Sequence, residues 1–348
     1  MHVGDTSAVK RLGSSTACIW VIETMRYESE VARQIAYEAI ATAGANEAIA
    51  HSLTEAVISA ELAGSKAVGF AHLPDYLDGF VKGRIAVNAE PQVTFPAQAA
   101  VRVDAQRGIA QLAYDRVFDE VVERAKTYGV VALAISNSFT VGELGYYTRR
   151  LAEAGLVALG TCNATAQMTT LESGKAIYGT NPVSFAAPVA NGRHLVIDQA
   201  SSATAFVNVR RAAEAGETLP EGWAVDEQGE PTTDATAAVK GLLLAFGGAR
   251  GANIAMMMEI LAAGMTGANW SMDAPHYAEG SETPGVGLFL VALKADVFAE
   301  GFEARVAAQI DRLAQAGVRI PGSHIKVREI DVPDDVMERV RSFGRAIR

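Results

Sequence analysis

Two short segments of this 348-residue chain combine residue types suited to holding an anion. Gly179-Thr180-Asn181-Pro182 is a turn that offers backbone N–H groups, with the Thr180 and Asn181 side chains, to a ligand. Gly247-Gly248-Ala249-Arg250-Gly251 opens a stretch of helical periodicity, so free helix-start N–H groups and the Arg250 guanidinium suit a pyrophosphate. Taken alone, each segment is as readily an ordinary tight turn. Asp198 closes the apolar run Leu195-Val196-Ile197, a place where a carboxylate is more often functional than core filler.

Several chemistries are excluded. No Gly-x-Gly-x-x-Gly turn follows an early strand, and there is no Gly-x-Ser-x-Gly elbow, Walker-type phosphate loop or His-Glu-x-x-His. The six histidines, His2, His51, His72, His194, His276 and His324, are far apart, so no metal site is expected. Cys18 and Cys162 build neither a disulfide framework nor a thiolate zinc site, which fits a reducing, cytoplasmic setting. A formal net charge of -10 argues against a nucleic-acid surface. No stretch approaches roughly 18 uninterrupted apolar residues, so no membrane span is expected. Residues 1–17, with Asp5, Lys10 and Arg11, lack the apolar core of a signal peptide. With 49% hydrophobic and 20% charged residues the composition is that of a globular protein with a sizeable core.

The elements that must position these residues follow from periodicity. A strand is expected at 18–22, two helices between Glu28 and Leu62 broken at Gly44, and a third from Gly64 towards Asp78. Residues 101–114 alternate around Asp104–Gly108 and predict a hairpin. Helices are expected at 115–127, 143–154, 203–215, 250–265 and 299–316, and strands at 130–136, 156–162, 184–188, 194–198 and 285–293. Residues 217–236 read as a loop, and charged helices close the chain. This alternation gives an α/β fold, and the hairpin makes its sheet mixed.

Tyr178–Pro188, YGTNPVSFAAP, resembles the Gly-Thr-Asn-Pro signature of the malate/L-lactate dehydrogenase family, whose members do not use a Rossmann fold. Other stretches agree in the same order. NSFTVGELGYY (137–147) is similar to the family's Asn-Ser-x-His-Phe-Gly-x-x-Gly-Tyr-Tyr element, VIDQASS (196–202) to its Asp-x-Ala-x-Ser strand end, GWAVDEQGEPTTD (222–234) to a family loop, and GGARGANIAMMMEIL (247–261) to its Gly-Gly-x-Lys-Gly helix start, with Arg250 at the Lys. The resemblance covers residues 25–325 and implies NAD or NADP as cofactor, a small-molecule substrate and a homodimer with its active site near the interface. It implies cofactor contacts from Ser138, Thr140, Gly179, Thr180, Asn181, Ser202, Gly248 and Arg250, and gives Asp198 the role of orienting a catalytic histidine. It also implies a helical segment, 1–85, packing with C-terminal helices, 300–348, beside a central cofactor-binding α/β domain, 86–299.

The match fails at the expected acid. The family's Ser-His-Gly and Arg-Leu-Pro-x-Tyr elements align with AVGFAHLPDY (67–76), placing Ala67 at the Ser, Val68 at the His and His72 at the Arg while keeping Tyr76. Thr140 replaces the second histidine. Three readings follow. In the first, His72, one helical turn from Val68, takes over as proton donor or holds the substrate carboxylate, with Tyr76 and Asp198 beside it; Lys66 is a further acid, although exposed lysines usually only solvate a helix. In the second no strong acid is needed, because reducing a protonated cyclic imino acid gives a neutral amine directly. In the third the chain binds nucleotide without turnover, which the intact GTNP, DQASS and GGARG segments disfavour. The leading expectation is hydride transfer between NAD(P)H and a small 2-oxo or 2-hydroxy acid.

Overall fold

The computed structural model describes residues 24–190, 194–322 and 329–345. The expected strand at 18–22, His2, Cys18 and His324 lie outside them. In chain order the elements are β1 (Thr24–Glu28), α1 (Ser29–Thr42), α2 (Glu47–Leu62), α3 (Leu73–Val81), β2 (Gln92–Ala97), β3 (Ala100–Asp104), α4 (Ala110–Asp115), α5 (Phe118–Tyr128), β4 (Val130–Ser138), α6 (Leu144–Glu153) and β5 (Val157–Cys162). There follow β6 (Met168–Thr169), β7 (Val183–Ala187), β8 (Leu195–Gln199), α7 (Phe206–Ala215), β9 (Ala224–Val225), β10 (Pro231–Thr232), α8 (Ala235–Val239), β11 (Leu242–Leu244), α9 (Ala249–Glu259), β12 (Val286–Leu293), α10 (Phe302–Gln315), β13 (Glu329–Pro333) and α11 (Asp334–Arg345).

The central sheet has seven strands in the order β2-β3-β4-β12-β5-β7-β8. Only β3 and β4 run parallel; the other pairs are antiparallel, so the sheet is mixed. This is an α/β architecture, and it is not the parallel sheet of a Rossmann domain. β12 sits in the middle, and its sequence is apolar nearly throughout because neighbours cover it on both sides. Leu133, Ile135, Leu288 and Leu290 pack there against Tyr147 and Leu151. A second core joins α1–α3 to the chain's end: Ile40, Ile49, Leu53, Leu73 and Leu77 meet Met337 and Val340, while β1 pairs antiparallel with β13. A four-stranded sheet, β10-β9-β11-β6, covers a third cluster around Leu243 and Val209.

Four expectations are corrected. The hairpin is β2–β3, upstream of the expected one, because the chain turns after Asp104 through Gln106 (φ 56°) and Arg107 (φ 61°) into α4. Ala110–Tyr114 are all buried, so a segment of strong helix formers loses its apparent alternation to burial on every side. The helix expected from Gly64 is a single 3₁₀ turn, Lys66–Val68, followed by a break at Gly69, and α3 starts only after His72. A Cβ at residue 69 would stand 2.3 Å from Glu61 Oε1, so a side chain there would push the Glu61 carboxyl off the Phe70 N–H. Val68 and His72 therefore do not share a helix face. The chain's end, read as helices alone, includes strand β13, and the 217–236 loop carries the short β9–β10 ladder.

Candidate active site

The residue before α3 is His72, and Pro74 in the first turn suits the helix start. The His72 ring is held at both nitrogens: Nδ1 lies 2.9 Å from Asp75 Oδ2, and Nε2 lies 3.0 Å from Thr140 Oγ1. Tyr76 and Tyr277 fix its plane edge-on, with centroids at 5.0 and 5.3 Å. The Tyr76 hydroxyl donates to the Thr140 carbonyl (3.1 Å) and accepts from Gln111 Nε2 (3.2 Å), which also donates to the Val141 carbonyl (3.0 Å). Burial pushes the Tyr76 phenol up to about 12, so it stays protonated and works as a prop for the 140–141 backbone.

Asp198 is the last residue but one of β8, opposite Ser184. Its Oδ2 accepts the Gly145 N–H at the start of α6 (2.7 Å), where a helix N-terminus favours an anion. Asp198 is accessible to solvent, yet protein atoms crowd it on most sides, and this desolvation raises its carboxyl above the ordinary value against the Gly145 bond and Arg149. Nearby Glu143 is buried and raised for the same reason; Arg149 pairs with it at 2.5 Å and also donates to Ser59 Oγ at 2.7 Å. Buried Cys162 lies within electrostatic reach of both Tyr76 and Asp198, and desolvation pushes its thiol up. The carboxylate on His72 is thus Asp75; Asp198 hydrogen-bonds a backbone amide instead, which corrects the orienting role expected of it.

The motifs singled out for anion chemistry are laced into one unit. Ser201 N donates to the Thr180 carbonyl (2.8 Å), Ser201 Oγ to the Asn181 carbonyl (2.7 Å), and Phe246 N to the Ser201 carbonyl (3.0 Å). Gly179 is pressed against Ala164, whose carbonyl oxygen would be 2.7 Å from an added Cβ. Asn181, at φ 30° and fully buried, donates to Glu259 Oε2 (2.7 Å) and the Ala255 carbonyl (3.1 Å), tying the turn to α9. Ser202 donates to the Thr204 carbonyl and Ser138 to the Val286 carbonyl, both buried. The side chains of Asn181, Ser202 and Ser138 are therefore engaged within the protein, while Thr180 remains partly accessible.

Gly247 (φ 59°) and Gly248 (φ 63°) adopt left-handed backbone that side chains rarely take. They border a cleft of about 470 Å³ with Trp223, Phe246 and Thr170, whose other lining includes Glu172 and Glu221. Arg250, exposed in the first turn of α9, makes no ion pair with any described residue. Open backbone donors, the start of an 11-residue helix and an unpaired guanidinium are a donor set that fits a dinucleotide's phosphates. Sequence reading missed Asp75, Gln111, Glu143, Cys162 and Tyr277. Only Asp75 carried a local signal, its i+3 spacing from His72.

A family model for malate/L-lactate dehydrogenase matches residues 27–329. The (2R)-3-sulfolactate dehydrogenase (NADP(+)) of Chromohalobacter salexigens is 36% identical over 321 residues, covering 90% of this chain and 96% of that protein. The Delta(1)-pyrroline-2-carboxylate/Delta(1)-piperideine-2-carboxylate reductase of Pseudomonas putida is 36% identical over 299 residues, covering 84% and 86%. Among solved structures, delta1-piperideine-2-carboxylate reductase from Pseudomonas syringae superposes with a TM-score of 0.85 at 32% identity, over 92% of this chain and 100% of that one. With a family match across nearly the whole chain and relatives at this identity, the chain belongs to the malate/L-lactate dehydrogenase family and is an NAD(P)-dependent oxidoreductase.

Proposed function

We propose that the enzyme reduces small 2-oxo acids to 2-hydroxy acids, reversibly, with His72 as the source of the proton. The observation that carries this reading is the His72 ring held between the Asp75 carboxylate and the Thr140 hydroxyl. When bound, the dihydronicotinamide supplies a hydride, two electrons and one hydrogen nucleus. The carbonyl carbon that accepts it leaves an alkoxide on oxygen, and that oxygen must be protonated. His72, as imidazolium, gives up that proton and becomes neutral imidazole, which recovers a proton from solvent. Tyr76 acts on this site through the Thr140 carbonyl, and Asp198, raised and solvent-accessible, lines the substrate side.

The cofactor would lie along Gly248 and Arg250 at the start of α9 and the Gly179-Thr180-Asn181 turn. Asn181, Ser202 and Ser138 contribute there by holding the backbone, and Thr140 lies at the reacting end. On this reading residues 86–299 carry the cofactor, and 1–85 with 300–348 form the second body of the protomer. Exposed Met256 and Met257 near the end of α9, with exposed Ile260 directly after it, support a homodimer, with the site near its interface; light scattering should give twice the monomer mass. We place the enzyme in the cytoplasm, in keeping with a free, buried Cys162; no helix among the described residues is long and apolar enough to cross a membrane.

A second reading, reduction of cyclic 2-imino acids, is favoured by the likeness to the pyrroline- and piperideine-2-carboxylate reductases. Such substrates need no alkoxide protonation. His72→Ala separates the two. It should lower turnover on pyruvate, oxaloacetate or 3-sulfopyruvate by about 10²–10⁴-fold and leave turnover on pyrroline-2-carboxylate nearly unchanged. Wild-type turnover of a 2-oxo acid by His72→Ala would remove His72 from the chemistry.

A further inference from the structure

We propose that Asp75, His72 and Thr140 form a proton relay, in which Asp75 positions the imidazole and the Thr140 hydroxyl delivers the proton to the substrate. This rests on the reading of His72 as proton source and names the groups through which it works. Val68 and Thr140 stand where the sequence resemblance implies histidines, so the acid is sought among the groups that the fold gathers around Thr140.

The geometry supplies such an assembly. Asp75 Oδ2 accepts from Nδ1 at 2.9 Å, which makes Nδ1 the protonated nitrogen of the neutral ring and turns Nε2 towards Thr140. Nε2 lies 3.0 Å from Thr140 Oγ1, a normal hydrogen bond. His72 and Thr140 are both partly accessible, and both ring nitrogens are taken up, Nδ1 by Asp75 and Nε2 by the Thr140 hydroxyl. A proton leaving Nε2 along this bond therefore passes to Thr140 Oγ1 first. Thr140 cannot swing away freely, because its carbonyl is held by the Tyr76 hydroxyl and the next carbonyl, Val141, by Gln111 and Tyr147. Tyr76 and Tyr277 wall the ring from the sides, leaving rotation about its own axis blocked.

The transfer balances. As the alkoxide oxygen takes the hydroxyl proton of Thr140, a new O–H bond forms on substrate and the old one breaks on threonine. Thr140 Oγ1 takes the Nε2 proton of the imidazolium in the same motion, and the N–H bond there breaks. The ring is left neutral with its proton on Nδ1, and Asp75 stays ionised throughout. No electron moves within the relay; the redox change is confined to the hydride.

Five variants test it on pyruvate, oxaloacetate or 3-sulfopyruvate, whichever the wild-type enzyme turns over fastest, with pyrroline-2-carboxylate as control. Thr140→Val keeps the shape and loses the hydroxyl; it should cut kcat by about 10²-fold with KM within about threefold. Thr140→Ser should restore kcat to within about fivefold of wild type, since only the hydroxyl is required. Asp75→Asn should cut kcat by about 10-fold, and Asp75→Glu should recover most of it. Nitrogen-15 NMR gives a readout that activity does not enter: the wild-type His72 ring should be a single Nδ1–H tautomer when neutral, and Asp75→Asn a mixture. Wild-type kcat in Thr140→Val, while His72→Ala still falls by about 10²-fold, would overturn the relay and keep the reading of His72. An unchanged tautomer in Asp75→Asn would remove Asp75 from it. Wild-type kcat in His72→Ala itself would end the underlying reading.

Discussion

Replacing Glu61 by Gln should stabilise the protein above neutral pH and lose that advantage in acid. Glu61 is 8% exposed; its Oε1 accepts the Phe70 N–H at 2.7 Å, while Oε2 is buried with no partner. Burial raises its carboxyl to about 7 from an ordinary 4.5; the Phe70 bond and Lys66 pull it down, and Asp331 pushes it up. The folded state therefore holds a proton that the unfolded chain releases between these two values, and stability falls as pH rises through that window. The difference, 7 minus 4.5, is 2.5, and at about 1.4 kcal/mol each this is about 3.5 kcal/mol, lost by pH 8 and mostly regained by pH 4.5. Glutamine keeps the oxygen that receives Phe70 and carries no charge at any pH. Urea denaturation of both proteins should show the advantage of Glu61→Gln over wild type growing by about 2.5 kcal/mol between pH 5 and pH 8. A stability difference independent of pH would refute the assignment of a buried, neutral carboxyl at residue 61.

Two further outcomes follow from the site. Arg250→Ala removes an exposed, unpaired guanidinium beside Gly248, and should weaken NAD(P)H binding by about 1–3 kcal/mol in a fluorescence titration while leaving the melting temperature unmoved. Tyr76→Phe deletes a hydroxyl that joins Gln111 to the Thr140 carbonyl and should cost about 1–2 kcal/mol of stability, with a smaller loss of kcat than His72→Ala.

The order of strands and helices was legible because apolar periodicity survives wherever one face is buried, as in α6, whose Leu144, Tyr147 and Leu151 line one side. It misled at Ala110–Tyr114, where burial on every side erased the contrast that separates helix from strand. The anion-binding segments were legible as motifs, but what their side chains do was not. Asn181 reads as a ligand group and instead bonds Glu259, which lies 78 residues away and is reached only through the packing of α9 on the turn. Likewise Asp198 reads as the carboxylate that serves a histidine, whereas Asp75 holds His72. The choice falls to Asp75 because Gly69 ends the 3₁₀ turn and α3 starts at Leu73, which puts residue 75 three positions along the helix from the ring. The Asp75–His72 pair is local in sequence; the tertiary fact, invisible to a motif, is that Asp198 meets the Gly145 N–H.

The central claim is NAD(P)H-dependent reduction of a small 2-oxo acid with protonation from His72. The most direct measurement is absorbance loss of NADH and of NADPH by the wild-type enzyme with pyruvate, oxaloacetate and 3-sulfopyruvate, each beside pyrroline- and piperideine-2-carboxylate, repeated with His72→Ala. The account predicts turnover of at least one 2-oxo acid with one of the two cofactors, and a fall of about 10²-fold or more for that substrate in the variant. Turnover of the cyclic imines alone, unaffected by His72→Ala, would contradict it.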